Sequence, residues 1–238
     1  MPHVPARAGA TLVACKISTR DQSQLRRMVL AKISALFWDV GGVLLSNAWD
    51  HEQRHQTLKQ FGLNDNDEDQ AEFESRHEML VSSFERGKIS LQDYLERTIF
   101  YRPRPFTSEA FTQHMFSLSQ PYPDTLRLAK ELARPGKYLM STLNNESTEL
   151  NLFRIQTFGL REIFSLFVSS CFVGLRKPEE GIYRLALEIT QRPPEECCFI
   201  DDRPLNLDSA SKLGMHVIQM KDAEQLRREL QTLGVASS

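Results

Sequence analysis

Short apolar runs, each closed by polar residues, constrain the fold of this chain more than any other feature of its sequence. They lie at 33–39, 137–142, 166–170, 197–201 and 216–220. Their β-branched and aromatic residues are typical of buried strands. Between the later runs, apolar residues recur at intervals of three and four, which is the spacing of helices. Strands that alternate with helices predict an α/β fold with a doubly wound, mainly parallel sheet.

One long interval interrupts this alternation. Between residues 47 and 121 no apolar run resembles a buried strand. The interval instead contains four segments with helical character, at 51–61, 68–86, 90–99 and 108–118. We therefore predict a helical cap at 47–121 that is inserted after the first strand. The α/β core would then consist of residues 33–46 and 122–238.

Residues 1–32 precede the first strand and carry six lysine and arginine residues against one acidic residue, Asp21. A basic, acid-poor segment of this kind is compatible with an organellar targeting peptide. Two other interpretations are a disordered basic tail and translation that begins at Met28, which would leave part of the segment untranslated. The little amphipathic periodicity at 7–18 favours these last two.

Composition excludes several kinds of partner. A formal net charge of −2 gives no basic field for nucleic acid, and no apolar run approaches the roughly 20 residues that span a membrane. The four cysteines and six histidines show no zinc-site spacing. Cys197 and Cys198 are adjacent in an apolar stretch, so we expect buried, reduced thiols and a reducing compartment such as the cytoplasm.

Polar residues with chemical potential lie where four predicted strands end or shortly after. Asp39 closes the first strand and Thr142 the second, Lys177 follows the third, and Asp201 and Asp202 close the fourth. The carboxyl ends of parallel strands meet at one edge of a sheet, where ligands bind. We therefore expect a carboxylate, a hydroxyl, an ammonium group and a carboxylate pair to converge there.

This set of groups suits phosphoryl transfer. A carboxylate can attack phosphorus and form an aspartyl-phosphate. Clustered carboxylates repel one another, and a hard cation such as Mg²⁺ relieves that repulsion. A lysine and a hydroxyl can hold phosphate oxygens, while the glycines after Asp39 let the backbone approach an ion closely.

Four motifs, in order, resemble those of the haloacid dehalogenase superfamily. They are "FWDVGGVLL", "STLNN", "GLRKPEEGIY" and "FIDDRPLN", and the resemblance covers roughly residues 33–222. It implies a Rossmann-like hydrolase core with a helical cap and a small phosphorylated metabolite as substrate. The D-x-G start and the segment "ERGKIS" are most similar to bacterial α-D-glucose-1-phosphate phosphatases.

The resemblance implies a role for each acidic residue and for the lysine. Asp39 would be the nucleophile and a ligand of Mg²⁺, and the backbone carbonyl of Gly41 would be a second ligand. Asp202 would bind the metal directly, with Asp201 beside it. Lys177 would be catalytic, pairing with the substrate phosphate and with the carboxylates.

The second motif would supply the remaining contacts to phosphate. Thr142 would bind it, helped by the backbone at Leu143. Ser141 would take this place if the strand ended one residue earlier. Because Leu143 stands where the superfamily commonly has asparagine, contacts from this loop would pass to Asn144 or Asn145.

Gly41 departs from the pattern of phosphatases in the superfamily. Most of them have an aspartate there, which protonates the leaving oxygen and later activates water. Losing a general acid typically costs about 10²- to 10⁴-fold in rate. A sugar 1-phosphate or an acyl phosphate would suffer least, and a cap side chain or a bound water could substitute.

Two other functions stay open. Haloacid dehalogenases of the superfamily also lack the second aspartate, but they work without a metal and would leave the pair Asp201–Asp202 without a purpose. A catalytically weak ligand-binding domain is the third possibility. Substrate specificity would lie in the cap, where five residues are candidates to face the substrate: Trp49, Asp50, Arg54, Arg86 and Tyr101.

Overall fold

A computed structural model describes residues 32–63, 67–134 and 136–235. The interpretations of the N-terminal extension up to residue 31 lie outside the described residues. Within them, no helix combines the length and the apolar character that crossing a membrane would require. Cys197 and Cys198 are buried and free, as their apolar surroundings predicted.

Five parallel strands form one sheet in the order β3-β2-β1-β4-β5. Their bounds are β1 Ala35–Trp38, β2 Leu139–Asn144, β3 Leu166–Ser169, β4 Cys197–Asp201 and β5 His216–Gln219. The predicted parallel α/β sheet is therefore confirmed. The strand order reverses at β1, which β2 and β4 flank, and ligands of such sheets bind at the carboxyl ends beside this reversal.

Strand β2 is longer than its sequence predicted. Thr142 was expected to close the strand, but Leu143 and Asn144 continue it by pairing with Val168 and Ser169 of β3. The apolar run stops at a polar residue, whereas the ladder to β3 does not. The loop at the carboxyl edge therefore begins at Asn145, and the expected strand end at Thr142 was wrong.

The segment between β1 and β2 is helical. Its helices are α1 His51–Gln60, α2 Asp67–Glu85, α3 Leu91–Thr98, α4 Ser108–Ser117 and α5 Pro123–Ala133. Asp50 caps α1 by accepting from Gln53 N, and Ser90 and Asp93 form a capping box at α3. We refer to residues 47–121 as the helical insertion. Its separation from the core as a cap domain stays a prediction.

The remaining helices cover the two faces of the sheet. They are α6 Thr148–Thr157, the short α7 Ser170–Val173, α8 Glu180–Thr190, α9 Pro204–Lys212 and α10 Ala223–Thr232. Strand β1 is buried on both faces: Leu36 and Trp38 pack in one apolar cluster, and Ala35 and Phe37 pack in another. Helices on both sides thus bury the apolar run that identified β1 in the sequence.

The two ends of the helical insertion meet beside the sheet. Ser46 N donates to Gln120 O over 2.8 Å, and Ser46 Oγ donates to Leu118 O over 2.7 Å. Arg154 of α6 binds both ends, because its Nη2 donates to Ser46 O and its Nε to Ser119 Oγ, each over 3.0 Å. A buried guanidinium of the core therefore fixes the place where the chain enters and leaves the insertion.

Candidate active site

Lys177 joins two carboxylates at the carboxyl edge of the sheet. Its Nζ lies 2.9 Å from Asp39 Oδ1 and 2.6 Å from Asp201 Oδ2. All three residues are buried. The backbone N–H of Val40 also donates to Asp39 Oδ1, over 2.8 Å, which fixes the carboxylate that follows β1. The sequence placed these three residues at one edge, and the structure brings them into contact.

Donors of the protein engage both oxygens of Asp201. Oδ1 accepts from Arg203 N at 2.8 Å and from Asn206 Nδ2 at 3.0 Å, and Oδ2 accepts from Lys177 Nζ at 2.6 Å. These contacts connect β4 to the first turn of α9 and to the lysine. Asp201 is therefore suited to orient Lys177 more than to bind a ligand directly.

Asp39, Asp201 and Asp202 form an acidic cluster that fits a divalent cation. One carboxylate oxygen of each lies within 4.8 Å of those of the other two. Oxygen ligands so close together suit a hard cation such as Mg²⁺. Asp202 Oδ1 is buried and has no hydrogen-bond partner in the described part of the chain. Because the oxygens of Asp201 are engaged, Asp39 and Asp202 are the better placed direct ligands.

Gly42 makes room for the Asp202 carboxylate. Its φ of +78° favours glycine, and a Cβ at this position would lie 2.3 Å from Asp202 Oδ2. A side chain would therefore collide with a carboxylate of the acidic cluster. The second glycine of "DVGGV" is thus required by both its backbone conformation and the approach of Asp202.

Burial and the charges of neighbouring groups shift the pKa values of the site residues. Burial raises the pKa of Asp39 to about 7, against the attraction of Lys177, and the charges of Asp201 and Asp202 raise this pKa further. Burial and Asp201 also raise the pKa of Asp202. Burial lowers the pKa of Lys177, but its attraction to Asp39 and Asp201 outweighs burial and leaves that pKa above its usual value. A bound cation would favour the charged carboxylates.

A cavity of about 600 Å³ opens over Asp39, within the usual size range of small-molecule sites. From the core it is lined by Asp39, Gly41, Asn145, Glu146, Arg154 and Lys177. From the helical insertion it is lined by Trp49, Asp50, Arg54, His77, Phe84 and Glu85. The cavity therefore combines the predicted nucleophile with polar and aromatic walls from the insertion.

The aromatic wall is held rigidly by hydrogen bonds. Trp49 Nε1 donates to the Tyr94 hydroxyl over 3.0 Å, and His77 Nδ1 lies 2.7 Å from the same oxygen. Arg54 forms two hydrogen bonds with Glu74, at 3.2 and 2.9 Å, and a third with Trp49 O. Burial lowers the pKa of His77 to about 4, so its ring is neutral at pH 7.

The structure divides the five candidate residues of the insertion. Trp49, Asp50 and Arg54 line the cavity. Arg86 instead connects the insertion to the core, because it donates to Gly174 O over 2.7 Å and pairs with Glu179. Tyr101 lies beneath the guanidinium of Arg76, 3.9 Å from ring centre to carbon.

Of the residues expected to bind phosphate at the end of β2 and just after it, Asn145 lines the cavity, whereas Thr142, Leu143 and Asn144 lie within the strand. Leu143 packs in an apolar cluster, and Asn144 is buried, donating to Asn151 Oδ1 and accepting from Ser169 Oγ. Asn145 and Glu146 line the cavity. Thr142 Oγ1 is buried and, in the described chain, lacks a hydrogen-bond partner. A phosphate-binding role for Thr142, Leu143 and Asn144 stays a prediction.

Sequence reasoning missed an ion pair beside the site, between a buried arginine and a partly buried glutamate. Glu146 and Arg154 form an ion pair of 2.8 Å, with 13% and 2% of their side chains exposed, and both line the cavity. Glu146 follows the "STLNN" motif directly, which was the available signal. Arg154 lies within α6, where nothing in the local pattern distinguishes it from a surface arginine.

Comparisons with known proteins agree on a family. A model of the haloacid dehalogenase-like hydrolases matches residues 33–214. A flavin mononucleotide hydrolase of Arabidopsis thaliana is 28% identical over 162 residues, which cover 68% of this chain and 65% of the relative. Bifunctional epoxide hydrolase 2 of Rattus norvegicus is 32% identical over 127 residues, 52% of this chain and 23% of the relative. The chain thus spans less than two thirds of these relatives.

Solved structures show the same fold. A HAD family enzyme of Bacteroides thetaiotaomicron superposes with a TM-score of 0.66 at 22% identity, covering 80% of this chain and 94% of that one. A HAD-like hydrolase of Porphyromonas gingivalis gives 0.67 at 23% identity, covering 87% and 100%. With the family match over most of its length and Asp39, Lys177, Asp201 and Asp202 gathered at one sheet edge, the chain belongs to the haloacid dehalogenase-like hydrolases.

Proposed function

We propose that this protein hydrolyses small phosphomonoesters in a Mg²⁺-dependent reaction, with Asp39 as the nucleophile. The observation that carries the proposal is the contact of Asp39 with Lys177 beside the acidic cluster, at the floor of a cavity. The ammonium group of Lys177 compensates negative charge on Asp39 and on a phosphoryl group, so these two anions can approach each other.

Asp39, Asp202 and the carbonyl of Gly41 would hold the metal. Asp201 would keep its contacts with Lys177 and Asn206 and orient the site. When bound, the cation neutralises part of the charge on the transferring phosphoryl group. The HAD family enzyme of Bacteroides thetaiotaomicron has been crystallised as a complex with magnesium and inorganic phosphate, which supports this choice of ion.

The chain's own residues would perform two displacements at phosphorus. In the first, an Asp39 oxygen forms a bond to phosphorus while the bond to the leaving oxygen breaks and that oxygen gains a proton. In the second, water attacks the aspartyl-phosphate, loses a proton and releases inorganic phosphate and the Asp39 carboxylate. Lys177 would balance negative charge in both steps.

The end of β2 and the loop that follows it would hold the remaining phosphate oxygens. The buried, unpaired hydroxyl of Thr142 supports a contact with a ligand oxygen. Leu143 would contribute through its backbone. Asn144 is already bonded to Asn151 and Ser169, so its proposed contact would need those bonds to rearrange, whereas Asn145 lines the cavity directly.

A sugar 1-phosphate is the proposed substrate class, because its anomeric leaving oxygen departs most easily where position 41 has no acid. The polar walls of the cavity also suit a sugar. The likeness to α-D-glucose-1-phosphate phosphatases in "DVGGV" and "ERGKIS" points the same way. The rings of Trp49, His77 and Phe84 favour a planar substrate as the second candidate, and the Arabidopsis relative is a flavin mononucleotide hydrolase.

The test is phosphate release from α-D-glucose 1-phosphate, flavin mononucleotide and a panel of other phosphorylated metabolites, with Mg²⁺ and with EDTA. We expect activity that EDTA abolishes and that Asp39→Asn lacks. Chloride release from a 2-haloacid by metal-free protein would favour a dehalogenase instead. Absence of turnover, with ligands that still raise the melting temperature, would favour a binding protein.

A further inference from the structure

Position 41 is the starting point, because the proposed reaction needs a proton donor that Gly41 cannot provide. Gly41 lines the cavity over Asp39. A Cβ built on Gly41 would lie 2.6 Å from Asn47 Oδ1 and 3.6 Å from Arg154 Nη1. The space that an aspartate would use is therefore already bounded by an amide and a guanidinium.

That guanidinium connects position 41 to a carboxyl group. Arg154 Nη1, which lies 3.6 Å from the Cβ position, also donates to Glu146 Oε2 over 2.8 Å. Glu146 is the second residue after β2 and lines the same cavity as Asp39 and Gly41. The Arg154 guanidinium thus separates the Glu146 carboxyl from the place that an aspartate side chain at position 41 would occupy.

The Glu146 carboxyl is held in a fixed orientation. Its Oε1 accepts from Ser147 N over 2.9 Å, and its own backbone N–H donates to Ser170 Oγ over 3.0 Å. Burial raises the pKa of Glu146, against the attraction of Arg154, so burial favours the protonated form that a general acid needs.

Arg154 itself is poorly suited to the proton transfer. Its three donor nitrogens bind Ser119 Oγ, Glu146 Oε2 and Ser46 O, and arginine keeps its proton in proteins. Arg154 is therefore a positioning residue, which holds the Glu146 carboxyl and the ends of the helical insertion together.

Other titratable groups in the cavity are less well placed. Asp50 caps α1, and His77 is held by Tyr94. Glu85 of α2 is the strongest competitor, because it lines the cavity and burial raises its pKa too, but it pairs with Arg176 at 2.7 Å. Its contact leads to Arg176, whereas the contact of Glu146 leads to Arg154 and position 41.

We propose that Glu146 is the general acid and base of this enzyme, in place of the aspartate that is absent at position 41. This inference rests on the proposed phosphatase function. As the bond from phosphorus to the leaving oxygen breaks, the Glu146 carboxyl gives its proton to that oxygen. The Glu146 carboxylate then takes a proton from the water whose oxygen attacks the aspartyl-phosphate, which restores the carboxyl group.

The experiment compares Glu146→Gln with wild type on two substrates, an alkyl phosphate with a poor leaving group and 4-nitrophenyl phosphate with a good one. Glutamine keeps the size of the side chain and an oxygen for Arg154, but it has no acidic proton. We expect kcat for the alkyl phosphate to fall by about 10²- to 10⁴-fold. For 4-nitrophenyl phosphate, the burst of nitrophenol measures the rate of the first step. We expect Glu146→Gln to lower this rate much less than it lowers kcat for the alkyl phosphate.

Glu85→Gln is the matched control, since it removes another glutamate carboxyl that lines the cavity and pairs with an arginine. We expect it to change both substrates by similar factors. Equal losses on both substrates in Glu146→Gln would overturn the proposal, as would a loss in Glu85→Gln that depends on the leaving group. If Glu146→Gln does not fold, Glu146→Asp replaces it, because aspartate still carries an acidic proton. The pH profile of kcat for Glu146→Asp should then keep the fall at high pH that the wild type shows. A profile without that fall would overturn the proposal.

Asp39→Asn separates this inference from the proposed function. If wild type is active and Asp39→Asn is inactive, the phosphatase function stands, and the results with Glu146→Gln decide the role of Glu146 alone. If wild type hydrolyses none of the phosphate esters, the proposed function fails and the assignment of Glu146 fails with it.

Discussion

The ammonium group of Lys177 lies 2.9 Å from the carboxylate of Asp39, and both residues are buried. Charges buried in this way are stable only as a pair, because each would otherwise lose its hydration without compensation. The same contact places a cation beside the proposed nucleophile. Structure and chemistry therefore depend on one interaction, and its loss should be visible in both.

Lys177→Met should destabilise the fold as well as abolish activity. Removing one partner of a buried ion pair typically costs about 3–5 kcal/mol, and here two carboxylates would lose their cation. Urea unfolding in EDTA-containing buffer measures this change in the free energy of unfolding. Lys88→Met, at an exposed lysine, is the control and should change it by less than about 0.5 kcal/mol. Similar values for the two variants would contradict the prediction.

Gly42→Ala should disrupt the acidic cluster. The new Cβ would lie 2.3 Å from Asp202 Oδ2, so the carboxylate must move away. We expect weaker Mg²⁺ binding by calorimetry and loss of phosphatase activity. Gly174→Ala is a matched control, because Gly174 also has a positive φ, of +71°, and no described atom lies within 4 Å of its Cβ position.

The control separates strain from collision. Gly174→Ala should lose only about 1–2 kcal/mol of stability through its left-handed backbone, with Mg²⁺ binding retained. If the two alanine variants bound Mg²⁺ equally well, Gly42 would have no special relation to the metal site.

The sequence allowed the sheet and the acidic cluster to be predicted because both follow from local patterns. Each strand was a short apolar run that could only be buried, and residues after strands meet at one edge whatever their separation along the chain. Asp39 and Asp202 are 163 positions apart in number, yet the parallel pairing of β1 with β4 brings them together. The helices of the insertion likewise began near their polar cap residues.

What the sequence could not give depends on contacts between distant segments. The true end of β2 is set by its pairing with β3, which the apolar run does not encode. Arg154 is buried because Ser46 and Ser119 accept its hydrogen bonds, and those residues lie at the two ends of the insertion. The position of the Glu146 carboxyl depends on its ion pair with Arg154, so it could not be predicted either. Arg86 was a candidate to face the substrate, but its side chain instead donates to Gly174 O in the core.

Thr142→Val should reduce activity without reducing stability. Valine has the shape of threonine, and the Thr142 hydroxyl is buried without a described partner, so its removal leaves no unsatisfied group. If the hydroxyl holds phosphate, KM for the substrate and the inhibition constant of inorganic phosphate should rise at least about tenfold, since a hydrogen bond to a charged group contributes about 1.5–3 kcal/mol and roughly 1.4 kcal/mol is a factor of ten.

Ser141→Ala is the comparison for that variant. Ser141 Oγ donates to Thr142 O over 2.9 Å, and Ser141 was the alternative phosphate ligand in the sequence. We expect Ser141→Ala to leave phosphate inhibition unchanged. If phosphate inhibition became weaker in Ser141→Ala and stayed unchanged in Thr142→Val, the contact would be assigned to Ser141.

His77 should make the fold less stable as the pH falls from 6.5 to 4. Burial lowers its pKa in the folded protein from 6.5 to about 4, so the unfolded chain takes up a proton first and is favoured in this range. The contribution is about 2–3 kcal/mol between pH 7 and pH 4.5, at 1.36 kcal/mol per pKa unit. Asp39 has the opposite sign, because its pKa is raised to about 7 and the fold gains stability as it protonates.

A variant isolates the histidine from the carboxyl group. His77→Gln keeps a polar partner for Tyr94 but cannot titrate, so wild type should lose about 2–3 kcal/mol relative to it between pH 7 and pH 4.5, measured by urea unfolding. His51→Gln, at an exposed histidine, should follow the wild-type curve. If the curves of wild type and His77→Gln were parallel, His77 would titrate alike in the folded and unfolded states, and its neutral role in the cavity wall would be wrong.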